Sequence, residues 1–256
     1  MMKTLIWEAL HIPSEDVENR KRVVRTMFEN SRPQVIAFAG PVGVGKSTQI
    51  RLLAYKLRSK RLRVKTTFFL KGHLFSYFLQ NILAKILCNS KNSNLSAMRI
   101  LLDGNPGAFK KLFKLWLVTD TVSNCLKFLV SIYIPIKLGY IVLVEDYIPT
   151  TIVHYRYYCQ VLKLPVSDIN FSTKLMLKLF SYFLTWVIFL DSRTEALKYR
   201  WILRGSPYEK DDYIYFRRKI LLCLLRIIIP NRLIYIRTDN CLPDEVNKLI
   251  MEGVKL

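Results

Sequence analysis

The chain has 256 residues, 51% of them apolar, a formal net charge of +21 and a pI of about 9.9. That length and apolar content build one α/β core with at most a small appendage. The charge attracts polyanions, whether nucleic acid, polyphosphate or an anionic lipid surface. Residues 1–33 carry six Lys/Arg against five Asp/Glu, so nearly all of the excess lies in the body of the chain. Cys88, Cys125, Cys159, Cys223 and Cys241 are scattered, with no C-x-x-C pair. They indicate neither a zinc site nor a disulfide framework, and reduced thiols point to the cytoplasm. Met1 to Leu10 is too short for a signal peptide and is broken by Lys3 and Glu8. The longest uncharged apolar run, Leu179 to Leu190, falls short of the ~20 residues of a membrane span, so no transmembrane segment is expected.

In chain order, residues 1–33 read as an N-terminal extension. Ser14 caps a packing helix with an apolar stripe of Val17, Val24 and Met27, and Pro33 ends it. Residues 34–256 then form one domain. Gln34 to Ala39 is a short apolar run, predicted as a buried strand over Val35–Ala39. Gly40-Pro41-Val42-Gly43-Val44-Gly45-Lys46-Ser47 follows, the P-loop pattern G-x-x-x-x-G-K-[ST], and Ile50, Leu53, Ala54 and Leu57 mark a helix over Thr48 to Leu57. Val64–Phe69 is the second expected strand. A mostly helical region, Leu74 to Leu138, is interrupted at Asn89–Ser96 and at the turn Asp103-Gly104-Asn105-Pro106-Gly107. Further strands are expected at Tyr140–Val144, Trp186–Leu190 and Leu233–Ile236, with a closing helix from Pro243 to Met251. Val- and Ile-rich strands separated by helices predict a three-layer α/β/α fold around a parallel sheet.

The P-loop carries the most specific chemistry. Its glycines let the backbone amides of Gly40, Gly43, Val44, Gly45, Lys46, Ser47 and Thr48 turn toward phosphate oxygens, and the following helix N-terminus adds partial positive charge there. Lys46 is placed to reach the β- and γ-phosphates and Ser47 to ligate Mg²⁺, so ATP and Mg²⁺ are the expected cofactors. A second group, Glu145-Asp146-Tyr147, emerges where ligands bind in open parallel sheets, beyond a strand's carboxyl end. Glu145 suits metal ligation or the orientation of water, and Asp146 suits the acceptor side. A third, Tyr199 to Pro207, sets Arg200 and Arg204 four apart on one helix face before Gly205 and Pro207 break it. That reads as a phosphate-closing lid over about residues 199–218 whose guanidinium groups stabilise the transferring phosphoryl group.

These residues resemble the thymidylate kinase branch of the P-loop nucleoside-monophosphate kinases over roughly residues 34–252. Beyond the P-loop, Lys114 to Asp120 with Ile134-Pro135 and Gly139-Tyr140 is similar to the family's helix that leads into its third strand. Phe189-Leu190-Asp191 with Glu195-Ala196-Leu197 is similar to its Leu-Asp…Glu-x-Ala segment, and Arg200…Arg204-Gly205 to its lid. Tyr235 to Asp239 followed by Asp244-Glu245-Val246 is similar to its last strand and helix, whose connecting loop lies beside adenine; this implies a cofactor role for Arg237. The departures fall on the acceptor side. Val144-Glu145-Asp146-Tyr147 stands where the family has Asp-Arg-Tyr, so Asp146 replaces a monophosphate-binding arginine. Thr119-Asp120-Thr121 replaces an Ala-Asp-Arg segment, and Phe68 to Gly72 replaces Arg-Glu-Pro-Gly. A carboxylate in place of a guanidinium beside a phosphate reverses an interaction worth about 4 kcal/mol at an effective dielectric near 20.

The resulting expectation is a Mg²⁺-dependent ATP phosphotransferase with Lys46, Arg200, Arg204 and Glu145 as its catalytic set and Ser47 and Glu145 at the metal. A polyphosphate chain is the expected acceptor, gripped by Lys71, His73 and Arg156 beside Asp146. dTMP kinase is the alternative. A further alternative is a nucleotide-dependent nucleic-acid binder, for which Tyr155, Tyr157 and Tyr158 around Arg156 would stack bases, although aromatics on a helix more often pack a core. Homodimerisation is left open.

Overall fold

The computed structural model describes residues 33–69, 74–88, 97–205, 209–239 and 241–254. The expected N-terminal helix and Lys71 and His73 therefore lie outside the described residues. Five strands, β1 (Val35–Ala39), β2 (Val64–Phe68), β3 (Ile141–Glu145), β4 (Thr185–Asp191) and β5 (Leu233–Arg237), form one sheet in the order β2-β3-β1-β4-β5. Every pairing is parallel. Helices connect the strands: α1 (Lys46–Ser59), α2 (Leu74–Cys88), α3 (Ala97–Gly104), α4 (Pro106–Phe128), α5 (Ile148–Leu162), α6 (Asn170–Phe180), α7 (Thr194–Leu203), α8 (Asp211–Ile228) and α9 (Pro243–Val254). The helix α4 continues through a π-helical turn, Leu129–Tyr133, into a last α-helical turn, Ile134–Lys137.

β1 is buried on both faces, and its side chains alternate between two cores. Val35, Ala37 and Ala39 pack with Val142, Val144 and Phe189 against α5, α6 and α8. Ile36 and Phe38 pack with Leu143, Ile188 and Leu190 against α1, α7 and α9. This is the expected three-layer arrangement. A third core joins α2, α3, α4 and α5 around Trp116, Phe113 and Tyr155, away from the sheet. Tyr155 and Tyr158 are buried there, so the core reading of those tyrosines holds over base stacking.

The continuous rod Pro106–Lys137 is 32 residues long and, by length and composition alone, apolar enough to cross a membrane, where no transmembrane segment was expected. One face of it is buried in protein and carries polar groups. Asp120, fully buried, accepts hydrogen bonds from Ser76 Oγ (2.6 Å), Tyr155 OH (2.7 Å) and Asn124 Nδ2 (3.0 Å). A buried carboxylate needs such partners. One face of the helix thus packs against α2 and α5, while Leu115, Val118, Val122 and Val130 stay exposed on the other. Asn105 caps it, its side chain accepting from the Ala108 amide at 3.1 Å.

The topology positions the site. From the central β1 the chain first builds β2 and β3 on one side, then β4 and β5 on the other. The loop after β1 is therefore flanked by the carboxyl ends of both β3 and β4, the crevice where such sheets bind ligands.

Candidate active site

The backbone of Gly40–Gly45 turns from β1 into α1, and two glycines are required by their surroundings. A Cβ on Gly40 would stand 2.1 Å from the Leu190 carbonyl oxygen, and one on Gly43 would stand 2.8 Å from Trp201 Nε1. Both residues also have positive φ, +135° and +83°. Gly45, at the N-cap with φ +103°, faces open space, with nothing within 4 Å of a would-be Cβ. Val44 is buried, Thr48 is half-buried in the first turn of α1, and the amides of that turn have no partner within their own helix.

Lys46 is 4% exposed. Its Nζ donates to the carbonyl oxygens of Gly40 (3.1 Å) and Pro41 (3.0 Å) and lies 3.6 Å from Asp146 Oδ2. Burial moves its pKa down, with Asp146 acting in the opposite direction. Ser47 Oγ donates to Glu145, 3.0 Å and 2.8 Å from its two carboxylate oxygens. The P-loop and the end of β3 are thus brought together as the sequence predicted. No cluster of three or more His, Cys, Asp or Glu that would hold a metal occurs among the described residues. A hydroxyl and one carboxylate nevertheless fit Mg²⁺, which takes hard oxygen ligands and keeps waters and substrate phosphates in its remaining positions. Ser47 and Glu145 would hold it.

From the other side α7 docks onto the loop. Arg200 Nη1 donates to Gly43 O (3.3 Å) and Nη2 to Thr238 O (3.1 Å). Trp201, fully buried, donates through Nε1 to Val42 O at 3.1 Å. Thr238 Oγ1 donates to Val44 O at 3.3 Å, so the loop after β5 touches the P-loop as well. Arg204 behaves differently from Arg200. The helix ends at Leu203, and Arg204 stands exposed in the closing turn. The equivalence of the two arginines fails there, because four-residue spacing aligns side chains only within a continuous helix. Of residues 199–218, expected as a lid, the described ones fall mostly in two helices, α7 and α8, and α7 contacts the loop. Arg237 is exposed and holds Asp239 at 2.8 Å, while Asp239 accepts from the Arg193 amide at 2.6 Å. Arg156 is half-buried on α5, with Nη1 buried and without a hydrogen-bond partner among the described residues.

Asp146 departs most from expectation. It is 4% exposed, has positive φ (51°) and accepts from Arg217 Nη2 at 2.6 Å. Arg217, on α8, is 3% exposed. Burial is the largest influence and opposes its charge, but Asp146, Tyr213 and Glu209 together outweigh it and its pKa moves up. In the sequence Arg217 falls near the end of the expected lid, with nothing to tie it to a residue 71 positions earlier. One turn back along α8, Tyr213 OH lies 2.8 Å from Nδ1 of His154 in α5. Elsewhere, α3, α7 and the segment entering α8 border an open depression of about 580 Å³ lined by Arg99, Lys198, Ile202, Glu209, Lys210 and Asp211.

No family model matches the chain. No curated protein matches its sequence. Solved structures do resemble it. The thymidylate kinase of Ehrlichia chaffeensis superposes with a TM-score of 0.53 at 19% identity, over 88% of this chain and all of that one. That of Candida albicans, described as revealing the origin of broad substrate specificity and a novel structural element, gives 0.50 at 17% identity, over 88% of this chain and 92% of that one. The fold is that of the thymidylate kinases.

Proposed function

We propose that the chain is a Mg²⁺-dependent ATP phosphotransferase that moves the γ-phosphoryl group onto a nucleoside monophosphate, with dTMP the first acceptor to test. The observation that carries this reading is the convergence of Lys46, Ser47 and Glu145 at the P-loop with Arg200 of α7 braced on the same loop. Loop amides and the α1 N-terminus would cradle the β- and γ-phosphates. Lys46 exchanges its carbonyl partners for phosphate oxygens and offsets charge on the transferring group, and Arg200 approaches from α7. A bound Mg²⁺ supplies charge neutralisation across the phosphates. Glu145 holds the Ser47 hydroxyl in place and is positioned to orient a water or the metal's ligand shell. Arg204, exposed at the end of α7, closes on the phosphates only if the segment after it moves.

The polyphosphate expectation rested on Asp146 standing where a phosphate-binding arginine belongs. In the fold that carboxylate is shared by Arg217 and Lys46, and the three groups together carry one net positive charge. The repulsive premise is thereby weakened, which favours a monophosphate acceptor over the polyphosphate chain. Arg237, tied to Asp239, supports the adenine side by fixing the loop after β5. Nucleic-acid binding is a second reading favoured by the net charge of +21. All five cysteines are free thiols, in keeping with a reducing cytoplasm. A second copy of the chain fits the apolar stripes left exposed on α2 (Phe78, Ile82, Ile86) and α4 (Val118, Val122, Leu126).

The test is ADP release from ATP across dTMP, other monophosphates, ADP, polyphosphate and single-stranded DNA. Release dependent on a monophosphate supports the reading. Release dependent only on polyphosphate would overturn the acceptor assignment. Steeply salt-sensitive DNA affinity without any release would favour the binder.

A further inference from the structure

Two helices hold apolar side chains out into solvent at the same spacing. On α2 they are Phe75, Phe78, Ile82 and Ile86, and on α4 they are Leu115, Val118, Val122 and Leu126, between 39% and 72% exposed. Steps of three and four residues line each set along one face of its helix. The helices are antiparallel neighbours. Ser76, near the start of α2, donates to Asp120 of α4 at 2.6 Å, and Leu87, near its end, accepts from Asn105 Nδ2 at 3.4 Å. At about 100° per residue, each set is rotated in the same sense away from those contacts, and in an antiparallel pair the same sense leads to the same side. The two stripes therefore adjoin as one exposed apolar face, of the kind that marks a membrane or protein contact.

The charges around it favour one occupant. α2 and the rod Pro106–Lys137 hold Lys85, Lys110, Lys111, Lys114, Lys127 and Lys137, and their one acid, Asp120, is fully buried. Every charge that these two elements expose is thus positive, with Lys114 keeping Asp168 of a neighbouring segment at 3.2 Å. A second copy fits the stripes, but set face to face it would bring lysine against lysine. An anionic bilayer turns that repulsion into attraction. The lysine stems are long enough to keep their ammonium groups among the headgroups while the stripes enter the acyl boundary. The net charge of +21 draws the whole chain toward such a surface. Crossing the bilayer is opposed by the other face of the rod. A spanning position would strip buried Asp120 of its partners Ser76 and Tyr155.

We propose that the face shared by α2 and α4 docks the chain onto an anionic lipid bilayer, on which it lies without spanning. Lysines sit among the headgroups, and the two apolar stripes sit at the acyl boundary. None of these residues belongs to the P-loop site, so attachment and ADP release are read separately.

The experiment is co-sedimentation of the full chain with phosphatidylcholine vesicles, pure or containing about a third phosphatidylserine. Binding to the anionic vesicles is expected, about tenfold or more tighter than to the neutral ones. Val118→Gln with Val122→Gln leaves the charge unchanged and should weaken that binding about tenfold, with circular dichroism unaltered. Lys111→Gln with Lys127→Gln should weaken it about tenfold or more. Arg51→Gln with Lys248→Gln removes the same charge from exposed positions on α1 and α9, across the sheet, and should weaken it about threefold at most. No binding by the wild type, full binding by the valine variant, or equal losses in the two charge variants would overturn the assignment. Should the valine variant misfold, the two charge variants decide. Sedimentation velocity tests the other occupants. A wild-type dimer that the valine variant dissociates and Lys111→Gln with Lys127→Gln tightens would assign the face to a second copy. A monomer that binds no vesicles and is destabilised by the valine variant would assign it to the chain's own residues.

Discussion

The contact between the P-loop and α7 makes a quantitative prediction for Gly43→Ala. Gly43 has φ +83°, where a residue with a Cβ costs about 1–2 kcal/mol. The new methyl group would also stand 2.8 Å from Trp201 Nε1. That ring cannot swing aside, because it is fully buried and donates to Val42 O at 3.1 Å. Overpacking of this kind adds about 1–3 kcal/mol, so the total loss is about 3 kcal/mol. For a chain of this size that lowers Tm by roughly 6–12 °C. The two components separate in a double-mutant cycle. Trp201→Leu removes the ring that the methyl group meets, so in the Gly43→Ala background it should cost about 1 kcal/mol less than in the wild type. Thermal melts of the four proteins, with ATP calorimetry alongside, measure the coupling. Additive losses would show that Trp201 does not press on the loop, and an unchanged Tm for Gly43→Ala would refute the loop geometry altogether.

Lys46→Ala should abolish acceptor-dependent ADP release while circular dichroism stays native; undiminished turnover would remove Lys46 from the donor site. Arg200→Ala should weaken ATP binding and lower Tm together, since Arg200 braces Gly43 and Thr238, whereas Arg204→Ala should leave Tm within about 1 °C because its side chain is exposed. Equal Tm losses would contradict that division. Asp146→Asn leaves Arg217 and Lys46 buried without their counter-charge and should cost about 3–5 kcal/mol, read from denaturant unfolding. With iodoacetamide at pH 8, exposed Cys241 should be modified first and Cys159 last, because burial pushes the Cys159 thiol up to about 11 and leaves little thiolate; mass spectrometry of the digested protein gives the order.

The sheet and the donor site were legible because their signals are local. Each strand is a Val- or Ile-rich run, and all five fall within a residue or two of where hydrophobic patterning placed them. The P-loop is one contiguous pattern whose backbone geometry follows from three glycines. The layer over the β1 face was harder. Every residue of α5 from Ile148 to Tyr155 is buried, including Thr150, Thr151 and His154, so the segment has no polar face to reveal its period. The long helix α4 was legible as part of the helical region ending at Leu138; what the sequence did not show is that Asp120 within it is held by partners on α2 and α5.

The acceptor side marks the limit of reading a chain by position. Aligned residue for residue, Asp146 is a reversed charge, and the inference that a phosphate would be repelled there follows from Coulomb's law. The premise that fails is that a charge acts alone. A carboxylate 4% exposed has to be paired, and its partner can come from any element that the fold brings near. Here α8 delivers Arg217 to within 2.6 Å, so the carboxylate is neutralised by a partner that no alignment of positions reveals. The same logic explains why Arg200 and Arg204 part company: both belong to one sequence pattern, but only the residue inside α7 is carried onto the P-loop by Trp201, whose packing role no charge pattern signals. Positions report which side chains a site contains; burial and partners decide which of those charges a substrate meets.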